Sequence, residues 1–384
     1  MIKFCILFWV TVLAVTENNN FETSLVQLIQ DTGHTVKVYK IHTEDNYILT
    51  VFRLPSKLKN PKVVFIMHGI ESSAADYVIG GNNASLAYLL SDNGYDVWLG
   101  NARGNIFSRA HKTLSVDSHD FWKFSFHEIG MYDLPAIIDY ALDKGDTTSL
   151  TYCGYSQGTT VFFVLLSMRP EYNSKISTAF LKAPVAYMRF PLPLVMPLVS
   201  MLDQLVGSLR AWRQYDFILP NQNMRKSAAN YCNKRVAGLT TCKANYMLIG
   251  GDTNGQYNED LIPKIFQYFP ASAGYGQMLH YGQIIRNNGS FIRFDHEKRR
   301  NLELYGQPVP PQYNLANLRT NMHFLYGVTD AIANLKDVEF LITKLKAHIT
   351  GITKIRDWNH LDFIYGKDVQ KKVNNVILQK MKST

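Results

Sequence analysis

Two alternating runs, Val36 to His42 and Tyr47 to Leu54, are rich in β-branched and aromatic residues and are separated by the polar tetrad Thr43-Glu44-Asp45-Asn46. That spacing predicts a β-hairpin. The pattern then changes. Lys62 to Met67, Asp96 to Leu99 and Leu150 to Cys153 are short, continuous apolar runs separated by helix-length segments. Runs without alternation predict parallel strands covered on both faces, the grammar of an α/β sheet. Phe180-Leu181 predicts a further strand ending at Pro184, and the same texture returns at Met322 to Tyr326 and His348 to Ile355.

Between these two blocks the grammar is lost. From Ala186 to Pro311 the chain is rich in Pro, Met and aromatic residues, beginning with the apolar stretch Phe190 to Leu202, and shows no strand–helix alternation. An inserted cap over residues 186–311 is expected, between a first core part (17–185) and a second (312–384). Met and Leu would give such a cap adaptable apolar surface, although ordinary buried helices would carry much of the same pattern.

The first residues modify the picture. Met1-Ile2-Lys3 and the apolar run Phe4 to Val15, followed by Glu17-Asn18-Asn19-Asn20, predict a secretory signal over 1–16; the run falls short of the ~20 apolar residues that a membrane-spanning helix needs. Secretion gives the cysteines a meaning. Cys5 leaves with the signal, Cys232 and Cys242 become the natural disulfide pair, and Cys153, beside Gly154, is expected as an inert buried thiol. Asn83-Ala84-Ser85 and Asn288-Gly289-Ser290 are glycosylation sequons, open to use in a secreted chain. The formal net charge of +9 is scattered, with Lys298-Arg299-Arg300 its densest cluster, which argues against a nucleic-acid partner and leaves mild attraction to anionic lipid surfaces.

Candidate chemistry centres on Gly154-x-Ser156-x-Gly158, placed between an expected strand and an expected helix. A serine hydroxyl needs a base beside it and backbone donors near it to act as a nucleophile at neutral pH. Alone the motif is weak, arising by chance in about one chain in ten of this length. Order adds weight: an acid and then a histidine should follow, each after a late strand. Asp330 and His360 stand in those places, with Asp362 competing for the acid role. The N–H of Gln157, at the helix start, and that of Ile70, in the loop His68-Gly69-Ile70 after an early strand, are the candidate oxyanion donors. His68 itself is expected to shape that loop rather than to act as a base.

These residues resemble the acid lipases, the family of gastric and lysosomal acid lipase. The likeness rests on Thr43-Glu44-Asp45-x-Tyr47-Ile48-Leu49, His68-Gly69, Trp98 to Asn105, Phe121 to Glu128 leading to Tyr132 to Ala136, Gly154 to Thr160, Tyr305 to Leu315, and Asn359 to Ile364. It implies an α/β-hydrolase fold with an inserted, mainly helical cap or lid. It further implies roles for Ser156, Asp330 and His360 as the triad, for Ile70 and Gln157 at the oxyanion, and a disulfide in the cap matching Cys232 and Cys242. Arg103 and Asp133 fall in signature segments and are read as scaffold. The chain departs from the family where Tyr155 replaces a histidine, Ile70-Glu71 replaces a leucine pair, and Ala331 follows Asp330; Glu71 sets a charge near the acyl entrance.

The expectation is a lipase that hydrolyses triacylglycerol or cholesteryl esters through an acyl-enzyme, secreted or lysosomal and monomeric, meeting its lipid ester at an interface. No cofactor or metal is implied, since no His-Glu-x-x-His, zinc-type cysteine spacing or phosphate-cradling glycine loop occurs. An esterase for small soluble esters is the alternative, and a non-catalytic lipid carrier on the same fold a second.

Overall fold

The computed structural model describes residues 21–191, 195–216, 222–233, 237–252 and 254–383. The expected signal segment 1–16, with Cys5, lies outside them. Among the described residues nine strands form one sheet: β1 (Lys37–His42), β2 (Tyr47–Leu54), β3 (Val63–Met67), β4 (Asp96–Leu99), β5 (Ala110–His111), β6 (Leu150–Tyr155), β7 (Ile176–Lys182), β8 (Asn321–Gly327) and β9 (Ile349–Ile355). Their order is β1-β2-β4-β3-β6-β7-β8-β9, with β5 pairing on β2. The hairpin β1/β2 and the β2/β4 pair are antiparallel, and every later neighbour is parallel.

Burial follows the sequence pattern. Every residue of β3, β4 and β6 is buried, as continuous apolar runs require of strands covered on both faces, whereas β9, at the edge, alternates between half-buried and exposed positions. The covering comes from helices on the two faces: α1 (Phe21–Asp31), α2 (Leu86–Asp92), α3 (Leu134–Gly145) and α4 (Gln157–Met168). All of α4 from Gln157 to Ser167 is buried, so this helix carries apolar residues all round instead of one stripe.

Between β7 and β8 run α5 (Val195–Ala211), α6 (Gln222–Cys232), α7 (Ala237–Gly250), α8 (Ile262–Tyr268), α9 (Tyr275–Arg286) and α10 (Glu297–Tyr305). A disulfide between Cys232 and Cys242 ties α6 to α7 across a sequence separation of 10, with Cα atoms 5.8 Å apart. Closing a loop of that length stabilises by ~3 kcal/mol in the chain-entropy account. Cys153 is free and buried in β6, and burial pushes its thiol up to about 12, which leaves it inert. On α5 the apolar stretch is not all core: Met196, Met201 and Leu205 are 45%, 59% and 47% exposed, and Trp212 just beyond is 71% exposed. The helices α11 (Leu335–Leu345) and α12 (Asn375–Ser383) complete the core after β8.

The sheet order also locates the site. From β3 the chain winds outward to β4 and then returns to the other side of β3 as β6. Loops leaving the carboxyl ends of β3 and β6 therefore diverge, and the crevice at such a switch point is where open α/β sheets bind ligands.

Candidate active site

Ser156 occupies the turn from β6 into α4 with φ 51° and ψ −119°, a left-handed conformation that costs a non-glycine residue about 1–3 kcal/mol. Hydrogen bonds hold it there. Its N–H donates to Lys182 O at the end of β7 (3.0 Å), and its carbonyl accepts from Thr159 N (2.8 Å) and Thr159 Oγ1 (2.6 Å). The flanking glycines serve close approach. A Cβ on Gly154 would lie 3.0 Å from the Gly158 backbone, and one on Gly158 would lie 2.5 Å from Met67 O and 2.9 Å from His68 O. With no side chain at 158, the first turn of α4 sits directly against the end of β3.

His360 Nε2 lies 2.7 Å from Ser156 Oγ, and its Nδ1 lies 2.9 and 3.0 Å from the two carboxylate oxygens of Asp330. The carboxylate can only accept, so Nδ1 carries the ring proton and Nε2 is free to accept from the serine hydroxyl. Asp330 is itself fixed, accepting at Oδ1 from Ile332 N (2.9 Å) and Ala333 N (2.7 Å). Its rival does something else. Asp362 accepts from Asn359 N (2.9 Å), donates its own N–H to Asn359 Oδ1 (3.0 Å), and has its carboxyl pushed up to about 7 by burial. It caps the turn that carries His360.

Ile70 and Gln157 lie on the two segments that leave the switch point, the loop after β3 and the start of α4. A Cβ on Gly69 would lie 3.1 Å from Ser156 Cβ, so the loop after β3 runs alongside the serine. Among the described residues neither the Ile70 nor the Gln157 backbone N–H finds a hydrogen-bond acceptor. His68 shapes this loop: Nδ1 donates to Gly69 O (2.7 Å) and Nε2 accepts from Ala102 N (3.0 Å). Both ring nitrogens are engaged in the neutral form, and burial holds the imidazole down at about 4. Asn101 and Asn105 support it in turn. Asn101 Oδ1 accepts from Ala74 N (3.0 Å) and from Asn105 Nδ2 (2.9 Å), while Asn101 Nδ2 donates to Thr50 O (2.9 Å). Sequence reasoning placed these asparagines only within a signature run; three-dimensional contact gives them the task of fixing the loop after β3. The neighbouring Arg103 is buried between Asp133 (Nε to Oδ1, 2.7 Å) and Asp45 (Nη2 to Oδ1, 2.8 Å), a cross-brace remote from the serine.

The segment between β7 and β8 touches all three parts of the site. Ala271 N donates to Glu71 O, Gln157 Nε2 donates to Gln277 Oε1 of α9 (2.6 Å), and His360 N donates to Gly250 O of α7 (3.2 Å). The candidate residues are correspondingly closed over, with Ser156, Asp330 and His360 5%, 4% and 3% exposed. Tyr155 braces the histidine loop by donating its hydroxyl to His360 O (3.1 Å). Glu71, with φ 56°, has no hydrogen bond or ion pair on its carboxyl among the described residues, and burial pushes that carboxyl up to about 7. Among the described residues no three His, Cys, Asp or Glu side chains converge as a metal site, and Asn83 and Asn288 are both exposed.

Comparison with known proteins gives this arrangement a family. Residues 25–81 match the partial alpha/beta-hydrolase lipase region and residues 62–225 match the alpha/beta hydrolase fold. Lipase 3 of Drosophila melanogaster is 39% identical over 362 residues, covering 92% of each chain. The human lysosomal acid lipase/cholesteryl ester hydrolase is 33% identical over 376 residues, 96% of this chain and 92% of its own. Among solved structures, an esterase from Thermogutta terrifontis superposes with a TM-score of 0.52 over 90% of this chain and 98% of its own at 13% identity, a likeness of fold alone. Identity above 30% across nine-tenths of the chain, on this fold, makes the protein a member of the acid lipase family of α/β hydrolases and a carboxylic ester hydrolase.

Proposed function

We propose that the protein hydrolyses water-insoluble carboxylic esters, triacylglycerols or cholesteryl esters, at a lipid surface, using Ser156, His360 and Asp330. His360 takes the proton of Ser156 as its oxygen attacks the ester carbonyl, and Asp330 orients and stabilises the resulting imidazolium. The tetrahedral oxyanion is held by the N–H groups of Ile70 and Gln157. As the intermediate collapses, the alcohol leaves with the proton from His360, and an acyl-Ser156 remains. Water then attacks this acyl-enzyme with His360 as base, the fatty acid departs, and Ser156 recovers its proton. The observation that carries the reading is the 2.7 Å contact of His360 Nε2 with Ser156 Oγ, with the Ile70 and Gln157 N–H groups left without an acceptor among the described residues.

The preference for a lipid surface is supported by the closed site and by the exposed Met196, Met201, Leu205 and Trp212 on and beside α5. Exposed apolar side chains of this kind gain from contact with lipid. α5 packs on α9 through Val206, Tyr275 and Leu279, and α9 reaches Gln157, so docking of α5 on lipid bears on the elements that close the site. A secreted or lysosomal destination accords with the lysosomal acid lipase among the relatives and with the expected signal, and the protein is read as a monomer; among the described residues no helix is long and apolar enough to cross a membrane. Rates measured across the solubility limit of a medium-chain triacylglycerol test this reading. A rise in rate on emulsion is expected; equal rates on either side would identify an esterase of soluble esters.

A further inference from the structure

Lys182 ends β7 after the apolar residues Ala179-Phe180-Leu181, and it is enclosed, at 1% exposed. Its carbonyl accepts from Ser156 N, so it stands directly beside the nucleophile turn. An ammonium is costly to bury without a partner. Here Nζ lies over the rings of Tyr77 (4.8 Å) and Tyr155 (5.8 Å) and makes no hydrogen bond or salt bridge among the described residues. The ester chemistry above leaves this group without a task.

The same enclosure holds a complementary charge. Asp76, on the turn Ala74–Tyr77, is 5% exposed; its Oδ1 accepts from the Tyr365 hydroxyl (2.7 Å), while Oδ2 has no hydrogen-bond partner among the described residues. Of the described groups that face Lys182, Asp76 is the one carboxyl. Cys153 of β6 keeps its proton, its thiol being pushed up to about 12, and burial holds Tyr77 and Tyr155 neutral. The carboxyls of Asp330 and Asp362 reach Tyr155 but not the lysine. Burial lowers Lys182 to about 8 and raises Asp76 to about 6, so both are charged together between these values. Each neighbour of the pair is tied to a different part of the site. Tyr77 donates its hydroxyl to Met67 O at the end of β3 (3.0 Å), and Asp76 continues the loop that carries Ile70. Tyr155 precedes Ser156, donates to His360 O (3.1 Å), and has its ring 3.1 Å from where a Cβ on Gly69 would stand. Tyr365 ends the short helix Asp362–Tyr365 that follows His360.

We propose that Lys182 and Asp76 form a buried charge pair whose attraction holds the Ser156 turn, the loop after β3 and the His360 loop in register, making Lys182 a positioning residue for ester hydrolysis. The inference rests on the Ser156 reading above. Replacing both members of a buried pair by neutral groups commonly preserves or raises stability, whereas removing one strands the other as an uncompensated charge. A pair of this kind serves geometry more than stability. Turnover and stability should therefore part company when both charges are removed.

The full chain is assayed on a soluble p-nitrophenyl ester across pH, with Tm and fluorophosphonate labelling of Ser156 as parallel readouts. Wild-type kcat should fall as pH rises through about 8, where Lys182 loses its proton. Lys182→Met alone should lower both Tm and kcat. Adding Asp76→Asn should restore Tm to the wild-type value or above without restoring kcat. That double variant should keep KM within about threefold, turn over about tenfold more slowly or worse, and lose the alkaline limb. A wild-type kcat that stays flat from pH of about 7 to 9 would overturn the proposal without any variant. A double variant with kcat and pH profile like wild type would also overturn it, as would one less stable than Lys182→Met alone. Labelling of Ser156 in the wild type would in each case leave the nucleophile reading standing; absence of that label would overturn both.

Discussion

Gly158→Ala pits two effects of known size against each other. Gly158 is the second residue of α4, and alanine in a helix is favoured over glycine by ~1 kcal/mol, so helix propensity alone predicts a more stable protein. Packing predicts the reverse. The new methyl would stand 2.5 Å from Met67 O and 2.9 Å from His68 O, whereas non-bonded carbon contacts sit near ~3.5 Å. These are backbone atoms of a strand end and cannot rotate aside, so the shift falls on the loop carrying Ile70. Overpacking of this kind costs about 1–3 kcal/mol, and a misplaced oxyanion donor costs roughly 3 kcal/mol of barrier lowering. We therefore expect a net loss of stability of about 1–2 kcal/mol and a fall in kcat of ~10²-fold, at 1.4 kcal/mol per decade. A soluble p-nitrophenyl ester, assayed below its solubility limit, isolates chemistry from lipid docking; denaturant unfolding gives the stability. Gly207→Ala in α5 is the control, since a Cβ there meets nothing within 4 Å and should stabilise slightly with kcat unchanged. A Gly158→Ala enzyme with kcat within threefold of wild type and undiminished stability would refute the steric account of the motif.

Two further substitutions separate neighbouring carboxyls. Asp330→Asn removes the acceptor at His360 Nδ1 and should lower kcat by ~10⁴-fold, as loss of the orienting carboxylate does in triads generally, whereas Asp362→Asn, which caps Asn359, should stay within about tenfold; kcat on the soluble ester distinguishes them, and the opposite ranking would move the acid role to Asp362. Glu71→Gln should show itself in the pH dependence of unfolding. The Glu71 carboxyl rises from 4.5 to about 7, so the folded state keeps its proton where the unfolded state has lost it, and the associated stability is full below 4.5 and lost as pH rises through 7. Between pH 4 and 8 the wild type should lose about 2 kcal/mol relative to Glu71→Gln, less than the roughly 3 of complete enclosure because the residue keeps some solvent contact. Parallel stability curves for the two proteins would contradict the burial of that carboxyl.

Much of this was legible before any coordinates. The runs at Lys62 to Met67, Asp96 to Leu99 and Leu150 to Cys153 declared strands covered on both faces, and β3, β4 and β6 are buried throughout. Phe180-Leu181 marked only the end of β7, which begins at Ile176; Ser177 and Thr178 break its apolar run, and pairing with β6 and β8 supplies what local pattern does not. The two-residue β5 was not foreseen, being too short for any period. At the site, order along the chain brought out Ser156, Asp330 and His360 and favoured Asp330 over Asp362, which follows the histidine, but which carboxylate faces the ring is visible only in three dimensions. The bonds of Asn101 to Ala74 and of Asn105 to His68, and the contacts of Gly250, Ala271 and Gln277 with the site, join residues far apart in sequence and carry no local signature. The apolar stretch from Phe190 fitted either cap surface or core equally well. Exposure of Phe190, Met196 and Met201 at 41%, 45% and 59% places part of that stretch at the surface.

The central claim, that Ser156 is the nucleophile activated by His360, is tested most directly by covalent capture. Wild-type protein treated with a fluorophosphonate ester and digested should yield one modified peptide carrying the label on Ser156, with activity lost in step with labelling. Ser156→Ala should take up no label and retain less than about 10⁻⁴ of wild-type kcat while unfolding at a similar temperature. Label on another residue, or hydrolysis by Ser156→Ala at a rate close to wild type, would contradict it.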